Sequence, residues 1–131
     1  MQHNITKRKI VYIAHPIGGN VQANLASLRS IVHFINTSPK HAAVVPFVPY
    51  YADVVAMDDN VPEQRQCGLK NGQEILSRKG MVDEVWVTGH TISPGMQEEV
   101  FCAFRNGIKV CAFEPLFNQL QALKKEWESN Q

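Results

Sequence analysis

The sequence has no apolar run approaching the ~20 residues that cross a membrane as a helix. It also lacks any long run of Lys or Arg, and its formal charge is only +1, so a nucleic-acid polymer is not expected as a partner. Cysteine is scarce: Cys67, Cys102 and Cys111 are odd in number and share no metal-ligand spacing. Cys102 and Cys111 lie among apolar residues, which reads as buried free thiols in a reducing, cytoplasmic compartment. His3, His15, His33, His41 and His90 form no ligand pattern, so no metal is expected. Repeats and low-complexity segments are missing too. The opening "MQHNITKRKIVYIAHP" sets basic residues before apolar ones, as a signal peptide does, but "IVYIA" is too short for its apolar region and no small-residue cleavage site follows.

What is present is an apolar share of 44% and a charged share of 19%, the balance of a soluble globular chain. With 131 residues, one domain with one core is expected, spanning 1–131.

"KIVYIA" (9–14) is a β-rich apolar run ended by His15-Pro16 and reads as a strand buried on both faces. Asn20 can cap a helix to about Asn36, with Val21, Leu25, Leu28, Val32 and Ile35 on one stripe. "AAVVPFVPY" (42–50) is a short strand that Pro46 and Pro49 break into irregular extended chain. "YADVVAMDDN" reads equally as loop or helical turn. Pro62 suits the first turn of a helix reaching about Lys79, although Gly68 and Gly72 inside it each cost ~1 kcal/mol relative to Ala. "DEVWVTG" (83–89) is the next strand. Ser93-Pro94 is a cap and first turn for a helix ending near Gly107. "IKVCAF" (108–113) is another buried strand, and Glu114-Pro115 leads into a C-terminal helix over 115–129 carrying Leu116, Leu120 and Leu123.

Strands alternating with helices across short loops predict an α/β fold: a three-layer, flavodoxin-like or Rossmann-like arrangement with a parallel sheet of four to five strands. Ligands of such folds sit at the carboxyl ends of the strands, near the point where strand order reverses. That rule selects "HPIGGN" (His15, Pro16, Ile17, Gly18, Gly19, Asn20), "PFVPYY" with Tyr50, and "GHTISPGM" with His90, Ser93, Gly95 and Met96.

Glu98 and Glu99 stand side by side in the helix after that last loop. At about 100° per residue, Met96, Val100, Ala103, Phe104 and Gly107 form the buried stripe. Glu98 falls nearly opposite it, in water. Glu99 falls at its edge, about 80° from the middle, where a carboxylate can project into the crevice. Both can instead merely complement the helix dipole. Gly18-Gly19 lets backbone N–H groups approach an anion, or is only a turn. Tyr12, just before that loop, is a core residue whose hydroxyl needs a partner: a ligand or Glu99.

"VYIAHPIGGN", "VDEVWVTG" and "ISPGMQEEVFCAFRNGIKV" together resemble the nucleoside 2-deoxyribosyltransferase-like superfamily, above all its small phage and bacterial members, over most of residues 9–113. The most specific feature is a glycine followed four residues later by a glutamate, here Gly95 and Glu99; the family's 2'-deoxynucleoside 5'-phosphate N-hydrolases also carry a tyrosine and a Gly-Gly pair placed like Tyr12 and Gly18-Gly19. The resemblance implies cleavage or transfer at an N-glycosidic bond, with Glu99 as nucleophile, Tyr12 positioning it or the sugar, and Gly18, Gly19, Ser93 and Gly95 holding a 5'-phosphate or 5'-hydroxyl. It implies a nucleoside or nucleotide as small-molecule partner, no metal or organic cofactor, and a homodimer or higher oligomer, for which the Gly68/Gly72 helix is a candidate interface.

The sequence departs from that pattern in places. Gly89-His90 stand where the transferases carry an acid, and only Asn71, Gln73 or Glu74 lie near the hydrolases' helical aspartate. His90 can protonate a leaving base or be simply exposed, and His15 can line or crowd the pocket. A binding or sensing protein without turnover, or a scaffold on the same fold, are the alternatives.

Overall fold

In the computed structural model, residues 7–113 and 116–131 are described, so the readings of the first six residues and of Glu114-Pro115 lie outside them. Four strands, β1 (Lys9–Ala14), β2 (Val44–Phe47), β3 (Glu84–Val87) and β4 (Lys109–Ala112), form one parallel sheet in the order β2-β1-β3-β4. Five α-helices flank it: α1 (Val21–Thr37), α2 (Tyr50–Ala56), α3 (Pro62–Leu76), α4 (Pro94–Arg105) and α5 (Phe117–Ser129). The expected α/β architecture is present, with four strands.

β1 is the central apolar strand that its sequence suggested: Val11, Tyr12, Ile13 and Ala14 have no exposed surface. It pairs with β2 on one side and β3 on the other, setting Tyr12 opposite Phe47 and Val85. The chain leaves β1 toward β2, then crosses back over β1 to reach β3, so strand order reverses between β1 and β3. A crevice opens there because the loops after the two strands diverge.

Side-chain caps start two of the five α-helices. The Asn20 side chain accepts a hydrogen bond from the Ala23 N–H (3.2 Å) and starts α1. Ser93 does the same for α4 through the Met96 N–H (3.3 Å). Leu25, Leu28 and Ile35 bury the α1 stripe, and Leu116, Leu120 and Leu123 bury that of the C-terminal segment.

Four readings are corrected. β4 is not buried on both faces, because it is the edge strand beyond β3 and its side chains are half-buried. β2 does not run out into irregular chain: Pro49, with φ −64°, already has helical geometry and caps α2 directly. α3 stops at Leu76 rather than near Lys79, where the Ser77 hydroxyl turns back to the Glu74 carbonyl (2.9 Å). Cys111 lies within 3.9 Å of the Glu84 carboxylate rather than in purely apolar surroundings.

Candidate active site

The site grows from β1. Tyr12 points from the sheet toward the layer formed by α2, α3 and α4, with its ring 5.8 Å from that of Tyr50. The Tyr50 hydroxyl donates to the Ile13 carbonyl (2.6 Å), which fixes α2 against β1. The Tyr12 hydroxyl donates to Oε2 of Glu99 in a buried bond across 87 residues of sequence.

Glu99 is 7% exposed, whereas Glu98 faces solvent. The wheel's separation of the two neighbours therefore holds in three dimensions. Burial pushes the Glu99 carboxyl up to about 7; the Tyr12 hydrogen bond pulls it down and the Glu98 charge pushes it up further. Burial, and after it the Glu99 charge, drive the Tyr12 phenol well above its ordinary value, so it is a fixed proton donor.

Gly72 explains how two polar groups meet inside this core. A methyl group there would lie 2.7 Å from the Tyr12 hydroxyl oxygen and 3.8 Å from Oε2 of Glu99. Helix α3 thus passes over the pair closely only because position 72 has no side chain. These two glycines serve packing inside the subunit. Gly72 is buried within the protomer, and Gly68 packs toward Asp53 of α2, whose Cβ is 3.8 Å from the site of an added methyl.

Glu99 borders a narrow cavity of about 70 Å³, whose wall includes His15, Ile17, Gly18, Tyr50, Ser93, Gly95 and Met96. The cavity shares Gly18, Asp59, Arg65, Leu69 and Gly95 with an adjoining broad depression of about 720 Å³ that also includes Gly19 and Glu98. Most of the residues expected from the strand-end rule therefore converge. Three others line neither the cavity nor the depression. Asn20 caps α1, Pro16 is buried, and His90 is exposed and borders neither cavity nor depression.

His15 lines the cavity without presenting a free ring. Its Nδ1 bonds the Pro16 carbonyl oxygen (2.8 Å) and its Nε2 the Ser27 hydroxyl (3.1 Å). Burial lowers its pKa against the pull of that carbonyl, and His90 lowers it further, so at neutral pH the ring is uncharged. At Gly89 itself packing leaves no room for a side chain. Gly89 has φ +93°, and a methyl on it would lie 2.6 Å from Cδ of Pro16. The loop after β1 fills the space a side chain would need.

Several lining residues carried no linear signal. Asp53, Val54 and Met57 of the α2 region form one wall, and Asp58, Asp59, Gln64 and Arg65 lie farther along the cavity. Both terminal nitrogens of Arg65 stand 3.7 Å from where a Gly18 methyl would be, and among the described residues this guanidinium has no salt bridge. Asn24, buried on α1, ties the glycine loop down by donating to the carbonyls of Ile17 (2.9 Å) and Gly18 (3.1 Å). Asparagine inside an amphipathic stripe was the available sign of that role.

The described residues contain no cluster of His, Cys, Asp or Glu suited to a metal ion, and no described helix is long and apolar enough to cross a membrane. Chemically, the site offers one buried carboxyl near neutrality, a phenol bonded to it, and a cation beside a glycine loop. A family model described as a domain of unknown function (DUF7768) matches residues 9–113, and the chain belongs to that family. No curated protein and no solved structure matches the chain.

Proposed function

We propose that this DUF7768 protein cleaves the N-glycosidic bond of a nucleoside or nucleotide, with Glu99 as nucleophile. The observation that carries the reading is the Tyr12–Glu99 pair, buried together at the β1/β3 reversal, with Glu99 bordering a cavity. Its agreement with the deoxyribosyltransferase-like resemblance of Gly95 and Glu99 adds support.

An oxocarbenium-like transition state needs a negative charge beside the anomeric carbon and little water. Ionised Glu99 supplies the charge. Its oxygen bonds to that carbon as the base departs with the glycosidic electron pair and takes a proton from water at the cavity mouth. Water attacking the resulting sugar ester gives hydrolysis, and a second base gives transfer. Tyr12 occupies one carboxylate oxygen and leaves the other directed to the sugar. Arg65 with the Gly18-Gly19 backbone is the place for a 5'-phosphate. A cytoplasmic homo-oligomer remains part of the proposal through the resemblance alone.

A binding or sensing protein on the same fold is the second reading. It is favoured by the narrow cavity and by Gly89-His90 after β3, where no acid stands. Deoxynucleosides and their 5'-monophosphates, with and without a free acceptor base, separate the two. Base release lost in Glu99→Ala and kept in Glu98→Ala supports the enzyme; saturable binding without product supports the sensor.

A further inference from the structure

Resting on that glycosidic reading, we propose that Asp53, held by Asn71, reads the nucleobase and selects adenine and cytosine, whose amino group lies at the edge it faces.

Helix α3 supplies the scale. Gly72 lies over the Tyr12–Glu99 pair and Gly68 lies over Asp53, and these glycines are four residues apart. Four residues of helix rise ~6 Å. Asp53 and Glu99 therefore meet α3 about one helical turn apart along its axis, and both line the same cavity. A heterocycle bonded to an anomeric carbon at Glu99 and lying along α3 brings its far edge to this carboxylate. Val54 and Met57 border the same cavity and offer apolar surface for the ring plane.

The hydrogen-bond inventory gives the polarity. Asn71 Nδ2 donates to Asp53 Oδ2 (3.2 Å), so the amide turns its hydrogens to the carboxylate. Among the described residues Asp53 Oδ1 receives no hydrogen bond. Toward the cavity the pair thus offers an acceptor, Oδ1 of Asp53, while Asn71, exposed and outside the lining, only holds Oδ2; an ionised carboxylate cannot donate. Adenine and cytosine offer an amino N–H₂ at that edge, whereas thymine offers the O4 acceptor, which faces Asp53 oxygen to oxygen. Asp58 and Asp59 are not equivalent to Asp53. Asp58 is exposed and binds the Asn60 N–H (2.9 Å), and Asp59 sits at the glycine loop near Arg65.

The test compares deoxycytidine, deoxyadenosine and thymidine 5'-monophosphates as substrates of the wild type, Asp53→Asn and Asn71→Ala. We expect kcat/KM to favour the two amino bases by roughly 10- to 100-fold in the wild type. Asp53→Asn, which can turn an N–H to the thymine carbonyl, should narrow or reverse that ratio, and Asn71→Ala should weaken it. Equal wild-type rates, or a ratio that Asp53→Asn leaves unchanged, overturn the assignment while base release itself stands. If no base is released from any of the three, the glycosidic reading fails instead. Calorimetric binding of the same nucleotides then decides: the same preference supports Asp53 as reader, and equal or absent binding overturns it.

Discussion

The Tyr12 hydroxyl reaches Oε2 of Glu99 beneath Gly72, where an added methyl would stand 2.7 Å from the phenol oxygen. Three elements, β1, α3 and α4, meet at that point. Gly72 gives up helix stability so that the carboxyl can be buried with one fixed donor.

Gly72→Ala sets two effects against each other. Helix propensity favours alanine by ~1 kcal/mol, while forcing a methyl against a rigid, buried ring costs ~1–3 kcal/mol. The overlap wins, because Tyr12 has no exposed surface and no room to swing away. Net destabilisation with loss of base release is expected, measured by denaturant melts and product assay. A more stable variant with full activity would show that the close approach has no role.

Activity should rise with pH through about 7, where Glu99 ionises. The Tyr12 hydrogen bond holds that carboxyl down, so Tyr12→Phe should move the inflection upward. An inflection near pH 4.5 in the wild type, or a downward move in the variant, contradicts this assignment.

Stability should show the opposite trend. Glu99 titrates at about 7 when folded against an ordinary 4.5, so the folded state holds the extra proton between these values. Its contribution is therefore fully present below pH 4.5 and declines as pH rises to about 7, by about 3 kcal/mol in all. Glu99→Gln should remove that decline and be the more stable protein at pH 8. Chemical denaturation at a series of pH values checks it.

Arg65→Ala should raise KM for a deoxynucleoside monophosphate about tenfold or more and leave the unphosphorylated nucleoside nearly unchanged. Equal effects on both would remove Arg65 from phosphate binding.

Much of this site follows from short-range pattern. Helical periodicity alone placed Glu98 in water and Glu99 at the edge of the buried stripe, and the alternation of strands and helices placed the loops after β1 and β3 at one end. The α2 wall was not legible, since "YADVVAMDDN" has no decisive period and Asp53 gains meaning only from Gly68 and Asn71 beside it. Arg65 was hidden for a similar reason: α3 carries it to Gly18 from 47 residues away in sequence. Gly72 gave half a signal, a costly residue inside a helix, and the partner it accommodates belongs to tertiary structure. His90 looked placed by its loop, yet its side chain faces solvent.

The most direct measurement is intact-protein mass after rapid acid quench during turnover, followed by peptide mapping. A transient deoxyribosyl adduct is expected on the peptide containing Glu99, localised to that residue and missing in Glu99→Gln. Base release with no adduct at any quench time, or an adduct on Glu98, would contradict it.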